Sequence, residues 1–144
     1  MKPRIRVKSL CVFGYEGRIL AALGVDEVKG ERFYRPLGGA VEFGETAANA
    51  LRREIREELQ EEIDEPVLLG VLESRFTFAG QPGHEIVFVF DARFVNPRLY
   101  SQSLVPFIEA ACSGEAEWIN PQEPPRYPLY PEGLTRLLER QEGR

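Results

Sequence analysis

The sequence predicts an α+β fold, a mixed β-sheet sandwiched between helices. Three observations carry this expectation: alternating and apolar runs over residues 5–13 and 18–25, one strongly periodic helical segment over residues 46–60, and renewed strand-like runs between residues 67 and 94. With 144 residues, 43% of them hydrophobic, the chain is sized for one domain, 1–144, around a single core. Its 18 basic and 23 acidic side chains leave a net charge of −5, which argues against a general nucleic-acid binder. The most apolar stretches, residues 19–25 and 86–90, fall far short of a bilayer span, and no apolar signal segment follows the basic start. No membrane is therefore expected, and the cytoplasm is the expected compartment. Cys11 and Cys112 stand far apart in no ligand-like spacing and are expected to be buried thiols.

Residues 5–13 alternate and then run apolar, residues 14–17 form a turn cluster, and residues 18–25 are apolar again, which predicts a β-hairpin. Residues 26–32, polar around Gly30, read as a surface loop, and Phe33 to Arg35 as a short extended piece halted by Pro36. After Gly44 the period changes: Ala47, Ala50, Leu51, Ile55 and Leu59 recur at helical spacing, so a helix is placed over residues 46–60. Strands follow at residues 67–72, 76–78 and 86–94, with turns at Gly80 to Gly83. Residues 96–103 read as a loop, 104–112 as a short helix and 116–119 as a final strand. Pro121, Pro124, Pro125, Pro128 and Pro131 stiffen a connector, and Leu134, Leu137 and Leu138 mark a closing helix.

The chemistry concentrates in Gly38-Gly39-Ala40-Val41-Glu42-Phe43-Gly44-Glu45 and in the helix carrying Arg53-Glu54-Ile55-Arg56-Glu57-Glu58. At about 100° per residue from Leu51, Ile55 and Leu59 fall near 40° and 80°, and Glu57, Glu54 and Glu58 near 240°, 300° and 340°. The carboxylates thus share an arc that abuts the apolar stripe, which draws Glu54 and Glu58 toward the body of the protein. Like charges at i,i+4 repel by about 0.2 to 0.5 kcal/mol even when exposed, and Arg52, Arg53 and Arg56 lie mostly elsewhere on the wheel. A hard divalent cation, Mg²⁺ or Mn²⁺, is the economical counter-charge and links the helix to phosphate chemistry. The plain alternative is a solvated, charge-rich helix with Arg53 and Glu57 as an ordinary pair. Gly38 and Gly39 weigh against it, because backbone free of Cβ can turn a carbonyl toward a cation held by the helix.

Residues 39–61 resemble the Nudix box, G-x5-E-x7-R-E-U-x-E-E-x-G-U, where U is a bulky aliphatic residue. Gly39, Glu45, Arg53, Glu54, Ile55, Glu57 and Glu58 fill the first seven specified positions, while Gln60 replaces the late glycine and Glu61 the last aliphatic. The resemblance implies the family's α/β/α sandwich and hydrolysis of a nucleoside diphosphate linked to another moiety, with Mg²⁺ or Mn²⁺ as cofactor and a nucleotide-like small molecule as partner. It implies metal ligation by Glu57, Glu58 and the carbonyl of Gly39, with Glu54 a further ligand or the general base. Arg53 would orient a carboxylate and Glu45 would hold Arg53, so Arg53, Glu54 and Glu57 form the expected catalytic set. Some relatives recruit a glutamate from outside the box, and Glu117 resembles such a position and joins the expected metal ligands. Dimers are common among relatives, so a homodimer is a further expectation. The departures at Gln60 and Glu61 touch no expected ligand, but they require a helix end unlike a glycine cap.

Glu115 and Glu73 are weaker acidic candidates. His84 is the sole histidine and is expected to be a surface or satisfied side chain. Arg18, Arg35 and Arg75 are candidates for phosphate contacts, and Trp118, Phe76, Phe78 and Tyr34 for stacking on a base, although core packing claims most such rings. Two other readings compete with hydrolysis: a non-catalytic, nucleotide-sensing regulator, which the intact carboxylate set argues against, and isomerisation of a diphosphate-bearing lipid precursor, for which no added cysteine motif is present.

Overall fold

The computed structural model describes residues 3–109 and 112–142. The strands form two sheets. In the first, β1 (Arg6–Cys11) lies between β5 (Leu37–Ala40), to which it is antiparallel, and β7 (Gln81–Asp91), to which it is parallel; β6 (Val67–Phe78) closes the far edge. The second runs β2 (Gly14–Tyr15), β3 (Arg18–Asp26), β9 (Cys112–Ile119) and β8 (Leu104–Glu109), with β4 (Glu31–Arg35) also on β3. Helix α1 (Ala47–Leu59) packs against both sheets, and α2 (Leu134–Glu142) lies on β6. The mixed sheet and flanking helices are those of the predicted α+β class.

Helix α1 forms where the sequence places it. Thr46 caps its first turn by accepting the Asn49 N–H at 3.1 Å, and Arg56 in the last turn complements the helix dipole. Leu51, Ile55 and Leu59 are buried among Phe13, Leu20, Leu37, Phe90, Val105 and Phe107, each such side chain contributing about 1.5–3 kcal/mol of apolar transfer. A second apolar cluster gathers Leu10, Val12, Val87 and Val89 under Leu134, Leu137 and Leu138 of α2.

Three expectations are corrected. Residues 5–13 and 18–25 do not form one hairpin: Cys11, Val12 and Phe13 are all buried, so β1 takes the interior of the first sheet while β3 joins the second. Only Gly14 and Tyr15 pair back onto β3, around Glu16 and Gly17 with φ of 51° and 77°. Residues 67–78 form one strand rather than two, because Glu73, Ser74 and Arg75 continue the ladder with β7, which itself begins at Gln81 after a tight turn at Ala79 and Gly80. Residues 104–109 are strand β8 rather than helix, with only Val105 and Phe107 buried, the period-2 signature of a pleated ribbon. The proline-rich connector is pinned to β4, since the Tyr34 N–H donates to Pro128 O at 2.7 Å and the Tyr130 N–H to Tyr34 O at 2.8 Å. Cys11 is buried as expected, and the Cys112 thiol lies outside the described residues.

The two departures from the box pattern have distinct local solutions. Gln60 adopts left-handed geometry, φ 54° and ψ 40°, and its side-chain amide donates to Glu57 O at 2.7 Å. Glu61, only 6% exposed, accepts from Arg98 Nε at 2.7 Å, so an ion pair to the short 3-10 helix Pro97–Ser101 replaces an aliphatic contact. The left-handed conformation costs a non-glycine residue about 1 kcal/mol. We therefore expect Gln60→Gly to raise the unfolding midpoint by about 2–4 °C in a thermal melt followed by circular dichroism. An unchanged or lowered midpoint would show that the exposed amide contact outweighs the strain.

Candidate active site

Strand β5 and helix α1 build the site. Gly39 lets them close together, since a Cβ there would lie 2.3 Å from the carboxyl carbon of Glu54; a Cβ on Gly38 would instead lie 2.0 Å from the Ser9 carbonyl oxygen of the neighbouring β1. Gly38 also has a φ of 143°, which favours glycine. Backbone and carboxylate thus pack without an intervening side chain.

Glu58 is 2% exposed. Its Oε1 accepts the Gly38 N–H at 3.0 Å, whereas its Oε2 is buried with no hydrogen-bond partner. Burial pushes its carboxyl up to about 8, with the charges of Glu109 and Glu54 adding to the rise and Arg35 and the Gly38 N–H opposing it. Glu54 is half-buried beside it, and Glu57 is exposed.

Arg53 organises the outer part of the site. Its Nε donates to Glu45 Oε2 at 2.7 Å and one terminal nitrogen to Glu45 Oε1 at 2.9 Å, a bidentate pair, while the same nitrogen reaches Ala40 O at 2.9 Å. The other terminal nitrogen donates to Glu54 Oε1 at 3.0 Å and to Glu57 Oε2 at 3.4 Å. The hydrogen bond from Arg53 holds Glu45 down at about 2, and Glu45 in turn raises Arg53, so both stay charged across the working pH range. Glu45 also accepts the Glu42 N–H at 2.9 Å, which fixes the loop that enters α1.

Gly39, Glu45, Arg53, Glu54, Glu57 and Glu58 are therefore brought together. Glu117 is not. On β9 it alternates with Ala116 and Trp118, which pack toward α1, so it faces the other side of the sheet and accepts a hydrogen bond from the Tyr34 hydroxyl. Burial, then that bond, pushes the Tyr34 phenol up to about 12. The acidic group outside the box that does face the site is Glu109, paired with Arg35 and close enough to raise Glu58. The misread helix over residues 104–112 hid it; read as a strand, β8 puts Glu109 on the face of Val105 and Phe107. His84 bonds to Glu73 at 2.8 Å, away from this cluster.

Among the described residues, no three acidic, histidine or cysteine side chains converge into a finished metal cage. The donors nonetheless fit a hard cation. A buried carboxylate oxygen has no partner, a second carboxylate lies on bare glycine backbone, and the third, Glu57, is 59% exposed and tethered only by a long contact to Arg53. A cleft of about 510 Å³ opens beside Gly38 and Gly39, with Arg35, Lys8 and Arg75 on its walls.

A crowd of carboxylates behind a glycine pair, opening on a cleft whose walls carry both basic and acidic side chains, accords with a phosphoanhydride hydrolase. The chain belongs to the NUDIX family: the family model described as NUDIX domain matches residues 2–139. Among solved structures, it is similar to a MutT NUDIX hydrolase from Burkholderia pseudomallei, at 25% identity over 94% of this chain and 97% of that one, with a TM-score of 0.67. It shares its fold with the E. coli ORF135 protein, at 22% identity over 98% and 91% of the two chains and a TM-score of 0.57. It also shares it with a UDP-X diphosphatase, at 20% identity over 99% and 64% and a TM-score of 0.63. A search of curated proteins finds no match. No helix among the described residues is long and apolar enough to cross a membrane.

The raised Glu58 has a consequence for stability. Between the ordinary carboxylate value of 4.5 and about 8, the folded metal-free protein holds a proton there that the unfolded chain releases, so stability falls as pH rises through this window. Urea unfolding of metal-free protein from pH 5 to 8.5 is expected to show that decline, and Glu58→Gln is expected to flatten it. An identical pH profile in the variant would contradict the assignment.

Proposed function

We propose that this enzyme hydrolyses the pyrophosphate bond of a nucleoside diphosphate linked to another moiety, using Mg²⁺ or Mn²⁺. The observation that carries the reading is the buried, unpartnered Oε2 of Glu58 beside Glu54 and the bare backbone of Gly39. An isolated carboxylate oxygen out of water costs several kcal/mol, so a fold that retains one has a use for it. The resemblance to a UDP-X diphosphatase and to a MutT hydrolase supports a nucleotide as the substrate class.

Glu57, Glu58 and the Gly39 carbonyl would hold the cation, with Glu54 a further ligand or the general base. When bound, the cation neutralises charge developing on the phosphate oxygens and makes water more acidic. As the general base, Glu54, bonded by Arg53 at 3.0 Å, would take the proton of the attacking water. The water oxygen bonds to phosphorus, and the bridging oxygen departs with the bonding pair as phosphate-bearing product. Arg53 acts as a positioning residue, with Glu45 keeping its guanidinium plane fixed. Arg35 meets the anionic part of the substrate, and Glu109 takes the place outside the box expected of Glu117. The buried free thiol of Cys11 suits the cytoplasm, and residues 1–144 act as one domain.

The test is a panel of nucleoside triphosphates, ADP-ribose, dinucleoside polyphosphates and capped RNA with Mg²⁺ or Mn²⁺, read by product mass. At least one compound should be cleaved, and chelation should abolish cleavage. Glu57→Gln and Glu58→Gln are each expected to lower kcat by on the order of 10²-fold or more while the far-ultraviolet spectrum is retained. Arg53→Lys, which keeps the charge but loses the fork, is expected to cost about 10–100-fold. Absence of turnover across the panel, or near-normal rates in both glutamine variants, would refute the reading.

A further inference from the structure

Strand β4 carries three chemically different side chains in a row. Glu31, Phe33 and Arg35 occupy alternate positions, so they share one face and succeed each other at about 6.7 Å, and all three line the cleft. Tyr34, between them, points the other way and is buried. Arg35 sits at the inner end, near Gly38, Gly39 and Glu58, where its ion pair with Glu109 holds it and leaves its remaining N–H groups for a ligand. Glu31 lies about 13 Å further out along the strand. Cation, ring and hydrogen-bond acceptor thus follow in the order of phosphate, base plane and base edge in a nucleotide.

The middle position is built for a flat ligand. Gly24 is paired with Phe33, and a Cβ there would come within 2.5 Å of its ring, so the ring lies down on the backbone of β3 and is backed by it. Phe78 approaches Phe33 edge-on at 6.0 Å between centroids, and Tyr130 stands 5.5 Å away, tilted by 45°. Phe33 is half-buried and Phe78 is 43% exposed, so apolar ring surface remains free in a cleft of about 510 Å³.

The outer position is fixed and has acceptor capacity to spare. The Tyr130 hydroxyl donates to Glu31 Oε1 at 2.9 Å, and that bond raises the phenol, keeping it a donor. A carboxylate has about four lone-pair sites, and this one serves a single protein donor among the described residues. The wall around it is braced: Asp26 accepts the N–H groups of Val28 at 3.1 Å, Lys29 at 3.2 Å and Ala79 at 3.1 Å, which ties the β3–β4 loop to the β6–β7 turn. The acceptor is therefore preorganised rather than loosely displayed.

We propose that β4 is the strand that selects the substrate: Phe33 stacks the base, Glu31 accepts a hydrogen bond from an exocyclic amino group on its edge, and Arg35 takes the phosphate. The preferred substrates are then nucleotides whose base carries an exocyclic amino group, so that cytosine is favoured over uracil and guanine over hypoxanthine, which present a carbonyl or a bare C–H at the corresponding position. A carbonyl facing Glu31 sets two acceptors against each other. This selection rests on the nucleotide reading above, but it is separable from hydrolysis.

Nucleoside monophosphates carry no anhydride to cleave, so calorimetry with CMP, UMP, GMP and IMP measures selection whether or not any triphosphate is turned over. We expect CMP to bind at least about tenfold more tightly than UMP, and GMP than IMP. In Glu31→Gln the CMP-to-UMP ratio should fall to within about twofold of unity, because an amide can turn either its oxygen or its nitrogen to the base. Tyr130→Phe, which keeps the carboxylate but frees it from the phenol bond, should lower the ratio without abolishing it, and Phe33→Leu should weaken all four ligands by about tenfold. Equal affinities within both pairs for the wild-type protein, or a ratio that survives in Glu31→Gln, would overturn the proposal. Should Glu31→Gln fail to fold in a thermal melt, the wild-type pairs with Tyr130→Phe and Phe33→Leu decide it.

Discussion

The constraint on which the site depends is the burial of the Glu58 carboxylate against backbone that cannot neutralise it. One oxygen is satisfied by the Gly38 N–H and the other by nothing, in surroundings that include Glu54 and Glu109. A single N–H stabilises an ionised carboxylate only in part, and burial opposes ionisation, so the resting group holds its proton to about 8. Such an arrangement is unfavourable for stability alone. Replacing Glu58 by a leucine-like side chain would extend the apolar stripe of Leu51, Ile55 and Leu59 without a desolvation penalty. On the proposed reading, what the carboxylate supplies is a ligand already stripped of water, which gives up its proton as the cation binds.

Arg35 opposes the rise at Glu58, while Arg53 answers the other carboxylates of the site. The Arg53 guanidinium is shared among Glu45, Glu54, Glu57 and the Ala40 carbonyl, so one positive charge answers three negative ones while its plane is held by the bidentate contact to Glu45. Lysine could match the charge but not the fork. The contacts lengthen from 2.7 Å at Glu45 to 3.4 Å at Glu57, so the grip is firm on the supporting carboxylate and loose on the one proposed as a ligand. Because Glu45 also accepts the Glu42 N–H, the loop, the arginine and the helix form one connected unit.

How much of this was legible in the sequence follows from the range of each interaction. The face of α1 was readable because helical periodicity is local: Leu51, Ile55 and Leu59 are buried, Glu58 sits at the edge of that stripe and Glu57 is outside it. The joining of Glu45 to Arg53 came from the resemblance and not from any local rule. Three features were not readable. The partition of β1 and β3 between two sheets is set by long-range pairing, which apolar runs separated by a turn do not encode. The choice between Glu109 and Glu117 turned on strand alternation in β8 and β9, and the misreading of β8 as a helix removed the register that would have favoured Glu109. The pairing of Glu61 with Arg98 joins groups far apart in the chain, so an acidic residue where an aliphatic is expected reads as a defect until its partner is seen.

The same division explains why the box is nearly silent on substrate. The residues proposed to handle the scissile bond lie on one helix and one turn, where sequence spacing fixes geometry, and the spacing therefore survives as a recognisable pattern. Residues that meet the rest of the substrate lie on β4, on the β6–β7 hairpin and on the connector before α2, brought to one cleft by tertiary structure alone. Within β4, however, geometry becomes local again. Alternation places Glu31, Phe33 and Arg35 on one face whatever the sheet around them does, provided the strand is paired, and its pairing with β3 on one side and the Pro128–Tyr130 backbone on the other holds it straight. A short strand clamped along both edges can thus present a fixed order of acceptor, ring and cation, and its last member reaches the box glycines. Selection and chemistry meet at Arg35, which faces both the cleft and Glu58, so a substrate seated wrongly on β4 is also misplaced at the reacting phosphorus.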